Sequence, residues 1–188
     1  KMKNLKTIAI ALFVAVSTIA TAQSKKVDAS KSTINWVGKK VTGQHSGTVN
    51  IQSGNLIFKG KKLTGGTFVV DMTSLTATDI QGEYQGKLNG HLKADDFFGT
   101  DKYPTSKLVF KKIASKGNGV YTVTADLTIK DVTAPVKFDI TVKGNTATTS
   151  FKVDRTKFGI KYGSGSFFDN LGDKTINDDF ELTVSLQF

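Results

Sequence analysis

The sequence predicts an all-β fold of about eight antiparallel strands, arranged as a sandwich or a barrel. Three observations point there. Apolar and polar residues alternate with period two through most of the chain, so each segment has one buried and one wet face. Turn-forming residues separate these segments at short, regular intervals. Glycine is plentiful at 18 residues while proline occurs only 2 times, which suits frequent turns between extended segments.

The elements follow in chain order. Residues 1–22 read as a secretory signal: Lys3 and Lys6 are the positive end, Ile8 to Ala20 is an apolar run broken only by Ser17 and Thr18, and Ala20-Thr21-Ala22 is a small-residue cleavage site. The run is short of the roughly 20 apolar residues that span a bilayer. Cleavage leaves a domain of residues 23–188 beginning at Gln23, exported to the periplasm or the medium, with no stable membrane insertion afterwards. Ile34, Trp36 and Gly38 share one strand face, as do Val49 and Ile51, Leu56 and Phe58, and Phe68, Val70 and Met72. Leu108 and Phe110 begin the next strand. The clearest alternation is Tyr121, Val123, Ala125, Leu127, Ile129, followed by Val136, Phe138, Ile140, Val142 and by Phe180, Leu182, Val184, Leu186, Phe188; Ala147, Phe151 and Val153 are a weaker example. Turns are expected at Gly43, Ser53-Gly54-Asn55, Gly60, Gly65-Gly66, Gly117-Asn118-Gly119, Lys130-Asp131 and Gly144-Asn145. Two segments break the rhythm. Asn89 to Phe98 reads as a short helix capped by Asn89, with Leu88 and Leu92 one turn apart. Gly159 to Asp178 is too long for a hairpin turn and reads as a functional loop or an irregular strand pair.

Composition excludes several chemistries. There is no cysteine, so disulfides, thiolate metal sites and cysteine nucleophiles are out. The formal charge of +10 loses three lysines with the leader. The rest are spread along strands without a basic run or a nucleic-acid module, so no nucleic-acid partner is expected. No Gly-x-Ser-x-Gly elbow accompanies the two histidines, His45 and His91. Their spacing matches no metal motif, and Asp95-Asp96 reads as a solvated helix end. Neither a metal nor a cofactor is expected.

Several motifs resemble the YceI-like family. They are Ser32-Thr33-Ile34-Asn35-Trp36-Val37-Gly38, Gly43-Gln44-His45-Ser46-Gly47, Gly90-His91-Leu92-Lys93-Ala94-Asp95-Asp96-Phe97-Phe98 with Lys102-Tyr103-Pro104-Thr105, Leu127-Thr128-Ile129-Lys130-Asp131-Val132-Thr133, and Asp154-Arg155-Thr156-Lys157-Phe158-Gly159. The chain departs from the family at Asp131, where many members have glycine, and around Gly163 to Phe168, which is closer to one subgroup. The resemblance implies an antiparallel eight-stranded lipocalin-like barrel with the short helix over one end. It also implies non-catalytic binding of a polyisoprenoid, isoprenoid quinone or fatty-acyl compound inside. Rival readings are a lipid hydrolase at the barrel mouth and a stress-response protein with a packed barrel. Association as a homodimer is left open.

The 13 phenylalanines then divide into core and ligand contacts. Trp36, Phe58, Phe68, Val70, Phe110, Leu127, Ile129, Phe138 and Phe151 are expected to line a tunnel, joined by Met72, Leu88, Leu92 and Phe158. Phe97, Phe98, Phe167 and Phe168 are expected near its ends, with Arg155 and Tyr162 at the mouth. Arg155 would meet an anionic head group with both arms of its guanidinium, or else pair with a carboxylate near Asp154 or Asp169. His45 and His91 would bond either loop carbonyls and carboxylates or a ligand head group.

Overall fold

The computed structural model describes residues 21–188, and the expected leader lies almost entirely outside them. Nine strands and one α-helix occur among the described residues: β1 Ala22–Lys26, β2 Thr33–Lys40, β3 Gly43–Lys59, β4 Lys62–Ala77, α1 Gly82–Lys93, β5 Thr105–Gly117, β6 Val120–Ile129, β7 Val132–Lys143, β8 Thr146–Asp154 and β9 Ile176–Gln187. All pairings are antiparallel. The order β3-β2-β9-β8-β7-β6-β5-β4 closes on itself through β3–β4, which makes an eight-stranded barrel. Short β1 lies outside the ring and pairs with the last residues of β3, Gln23 opposite Phe58.

Alternation predicts the strand faces correctly. In β6 Tyr121, Val123, Ala125, Leu127 and Ile129 are all buried, with partly exposed threonines and Asp126 between them. The turns at Gly117-Asn118-Gly119 and Lys130-Asp131 have the left-handed backbone that two-residue hairpin loops require.

Two expected turns are strand interior instead. Ser53-Gly54-Asn55 and Gly65-Gly66 lie within β3 and β4, which run 17 and 16 residues. The pairing register slips between Ile51 and Ser53, so the first site is an irregularity in a continuous strand. Both glycines make room for rings. A Cβ on Gly54 would stand 2.6 Å from the Phe68 ring, and one on Gly66 would stand 2.9 Å from Phe110. Glycine in a strand marks such a close approach as readily as it marks a turn.

The helix is also displaced from its expected position. It begins at Gly82, seven residues ahead of Asn89, and stops at Lys93; Ala94 to Phe98 is a tight turn. Asn89 is no cap. Its Oδ1 accepts from the Ala77 N–H at 2.8 Å and its Nδ2 donates to Thr76 Oγ1 at 2.9 Å, tying the middle of α1 to the end of β4. Glycines at 82, 86 and 90 hid the first two turns of the helix, because glycine is a poor helix former.

One end of the barrel is packed solid. Leu56, Leu63 and Val123 are fully buried there. The Phe58 and Phe188 rings meet at 5.6 Å, with Lys25 above both. The opposite end carries the β2–β3 turn, α1 with its connections, the β6–β7 turn and the long β8–β9 loop.

Candidate functional site: an apolar cavity open at one end

Between the packed end and these loops lies a cavity of about 480 Å³, within the roughly 300–1,000 Å³ usual for ligand pockets. Its walls are the inward positions of the eight ring strands. Four rings run side by side across β4, β5, β7 and β8: Phe68 to Phe110 at 5.6 Å, Phe110 to Phe138 at 5.9 Å, and Phe138 stacked on Phe151 at 4.5 Å. A second group roofs the cavity, with Phe97 and Phe98 at 5.4 Å and Phe98 edge-on to Phe180. Leu88 and Leu92 reach in from α1. Polar groups on the wall are few: Ser106, 6% exposed, and Thr149, with His45, His91 and Arg155 on the elements at the open end. The rim is polar, with Lys39, Lys40, Gln44, Asp173, Lys174 and Asp179.

Most of the expected residues meet here. Trp36, His45, Phe68, Val70, Met72, Leu88, His91, Leu92, Phe97, Phe98, Phe110, Leu127, Ile129, Phe138, Phe151, Arg155 and Tyr162 all line the cavity. Four do not. Phe58 has the right face but sits at the packed end, so the interior is a blind pocket and not a tunnel. Phe158, in the 3₁₀ turn after β8, is buried in a separate cluster with Val153 and Ile160. Phe167 and Phe168 are 47% and 51% exposed and stand outside the barrel. The positions missing from that list include Ile34, Leu182, Val184 and Leu186. Their signal was present, since each lies on the apolar face of an alternating strand.

Arg155 corrects a larger expectation. It borders the cavity but is 2% exposed and offers no open arm to a head group. Nε donates to Asn177 O at 3.0 Å, Nη1 to Ile160 O at 2.9 Å and Nη2 to Ile176 O at 3.0 Å. Its acidic partner is Asp178, 3.7 Å away, and not Asp169. The guanidinium also lies over the Phe97 ring at 5.6 Å. Burial lowers its pKa against the opposing charges of Asp178 and Asp154. One cation thus satisfies one carbonyl of the β8–β9 loop, Ile160, and two at the start of β9, Ile176 and Asn177, and so ties the loop to that strand.

The two histidines differ. His45 Nδ1 is 2.9 Å from Asp79 Oδ2, bridging β3 to the segment that enters α1. Burial pushes the Asp79 carboxyl up, but hydrogen bonds from His45 and from the Ser46 and Asp79 backbone outweigh it, and its pKa falls below the usual carboxylate value. His91, on α1, lies edge-on between Tyr162 at 4.4 Å and Phe97 at 5.4 Å. Its Nε2 is buried without a hydrogen-bond partner; Asp96 Oδ2 at 3.9 Å is too distant for one. Among the described residues no three His, Asp or Glu side chains converge as a metal site would require.

An antiparallel eight-stranded barrel, solid at one end and hollow at the other, defines a lipocalin-like container with room for one small ligand among its side chains. The chain belongs to the family of the YceI-like domain, whose model matches residues 26–188. It is 33% identical over 100 residues to a UPF0312 protein of Shewanella denitrificans, covering 53% of this chain and 48% of that one. The chain thus matches about half the length of such curated relatives. Among solved structures, BcnA of Burkholderia cenocepacia superimposes with a TM-score of 0.67 at 24% identity, over 85% of this chain and 98% of that one. A polyisoprenoid binding domain from Saccharophagus degradans, implicated in plant cell wall breakdown, does so with 0.56 at 14% identity, over 90% and 99%. At these identities the structures share the fold.

Proposed function

We propose that this protein binds the long apolar tail of a polyisoprenoid, isoprenoid quinone or fatty-acyl compound in the barrel cavity, without catalysing a reaction on it. The observation that carries the reading is the cavity itself: about 480 Å³, walled by aliphatic and aromatic side chains, closed at one end and open at the other. Each methylene taken from water contributes roughly 0.8 kcal/mol, so a tail of about ten buried carbons reaches micromolar affinity without a polar anchor. One chain encloses the pocket, so binding needs no second copy. The Saccharophagus domain, which has this fold, is a polyisoprenoid binding domain, and that supports the ligand class.

The leader-like residues 1–22 support export and carriage of the lipid across an aqueous compartment such as the periplasm. Cleavage after Ala22 leaves Gln23 to Lys26 to form most of β1.

Native mass spectrometry of the protein purified from the envelope or medium tests the reading. The expected spectrum has a chain beginning at Gln23 and a second species heavier by one lipid. Delipidated protein should take up an added isoprenoid at one per chain. Absence of both the adduct and uptake of all three lipid classes overturns the binding reading. Hydrolysis of a lipid ester that disappears in His45→Ala or His91→Ala overturns its non-catalytic part.

A further inference from the structure

The large apolar side chains that remain exposed are distributed unevenly. Among the described residues they are Val41, Tyr84, Val132, Tyr162, Phe167 and Phe168. Every one belongs to the open end: the β2–β3 turn, α1, the first residue of β7 beside the β6–β7 turn, or the β8–β9 loop. The barrel wall and the packed end have none.

Four of the six form one lip of the mouth. The Val41 N–H donates to Thr175 O at 3.1 Å, and the Ile176 N–H donates to Gly163 O at 2.8 Å, so the β2–β3 turn and the β8–β9 loop are held together. Val41, Tyr162, Phe167 and Phe168 project from this joined lip, which the buried Arg155 holds in shape. The same stretches carry Lys39, Lys40, Lys157, Lys161 and Lys174 against Asp169 and Asp173, with Lys39 paired to Glu181 and Lys157 to Asp154 on the adjoining strands. Lys40, Lys161 and Lys174 are exposed and make no ion pair. The Lys161 ammonium lies 4.4 Å above the Phe167 ring. The facing lip, α1 and its exit, carries Glu83, Asp95, Asp96 and Asp101 alongside Lys87, Lys93 and Lys102, with Lys87 paired to Glu83 and Lys102 to Asp95.

Exposed rings interleaved with free lysines match the surface of an anionic bilayer, where aromatic side chains settle among head groups and ammonium groups meet phosphates. We infer that the lip formed by Val41 and residues 161–174 docks the protein on an anionic phospholipid bilayer, with the cavity mouth facing the lipid. The rings and lysines carry this inference; the carrier reading contributes only what would pass through the mouth. Docking of this kind is reversible, because a few side chains enter the interface and no segment crosses it.

The packed end is the competing surface. Lys25, Lys26, Lys59, Lys61 and Lys62 gather there, also unpaired, and would draw the molecule to negative charge with the mouth turned away. They offer no ring to insert. The absence of cysteine allows the two orientations to be separated by a single environment-sensitive thiol label, placed through Phe168→Cys in one preparation and Lys61→Cys in another. Each is titrated with vesicles of phosphatidylcholine mixed with an equal part of phosphatidylglycerol. The expected result is a blue shift at position 168, none at position 61, and weakening by added salt. A Phe167→Ser, Phe168→Ser double variant should lower vesicle partitioning about tenfold, the loss expected for two half-exposed rings. It should still take up lipid from dilute solution, since neither ring lines the cavity. A shift at position 61 alone, or at neither position, overturns the inference. So does a shift at 168 that grows with protein concentration in the absence of vesicles, which would make the lip a contact between copies. Loss of lipid uptake in an otherwise folded double variant would instead revise the cavity assignment, so the two readings fail separately.

Discussion

Arg155 shows how far a residue's role depends on what surrounds it. In the sequence it is a cation at the opening of a loop; in the fold it is a buried bracket for three carbonyls. Arg155→Ala should therefore act on stability first. It leaves the buried Ile160 carbonyl and the part-buried Ile176 and Asn177 carbonyls without their donor, at a cost of about 1–3 kcal/mol for each buried group left unsatisfied. A loss of at least about 3 kcal/mol is expected in urea unfolding, with partial recovery in Arg155→Lys, which keeps the charge but not the fork. A variant as stable as the parent but weaker for anionic lipids alone would return Arg155 to the head-group role. Its partner Asp178 sets an acid limit. Burial pushes this carboxyl up, but the Ser164 and Ser166 hydroxyls and the Arg155 charge outweigh it and hold the pKa below the usual value. A carboxyl whose pKa is lower folded than unfolded stabilises the fold above its unfolded value of about 3.9. That contribution disappears as pH falls through the folded value. The melting temperature should thus drop on the acid side of about pH 4, and Asp178→Asn should flatten that limb. An acid limb unchanged in the variant would place the sensitivity in other carboxylates.

At the level of elements, α1 stands apart from the strands. It buries no residue completely. Its attachment includes Leu88 and Leu92 over the cavity, His91 against Tyr162 and Phe97, the Asn89 bonds to Thr76 and Ala77, Gln85 Nε2 donating to Ala77 O at 2.7 Å, and Lys93 Nζ donating to Thr73 O. Such an element opens locally while the ladder around it stays closed. Asn89→Ala should speed amide exchange across Gly82–Lys93 about ten- to a hundredfold, as loss of buried hydrogen bonds predicts, and leave β6 and β7 protected. Gly86→Ala should act in the opposite direction by about 1 kcal/mol, because a Cβ there meets nothing within 4 Å. Equal acceleration in helix and barrel would show that α1 unfolds only with the whole domain. A short helix was legible near Asn89, but its start at Gly82 was not, because its interior glycines obscure the helical signal and polar side chains provide much of its anchorage.

For the molecule as a whole, the decisive property is the division of one barrel into a solid and a hollow half. Val184 lies in the hollow half, with Ile34 and Thr149 as its neighbours in register. Val184→Phe places a ring into existing space, so the usual 1–3 kcal/mol of overpacking should be largely avoided. The expected outcome is a melting temperature within a few degrees of the parent and a mass spectrum without the lipid adduct. Adduct retained at full occupancy would locate the ligand elsewhere.

What the sequence determined by itself is local. Period-two alternation is a property of single strands, so inward faces were legible from Ile34 to Phe188. Glycine, asparagine and aspartate marked the hairpin turns because those turns need left-handed backbone, as at Asn118 and Asp131. Among the strands, glycine was ambiguous where a ring from the next strand covered it, at Gly54 and Gly66. The tertiary structure alone decided depth along the barrel axis. Phe58 and Phe68 read alike in their strands, yet one seals the packed end and the other walls the cavity. Phe158 and Phe168 both lie beyond the end of β8, yet one is core and the other faces solvent. No strand encodes that difference, because an interior void is the space left when side chains from eight strands and α1 are summed at each level, and that sum exists only after the ring has closed.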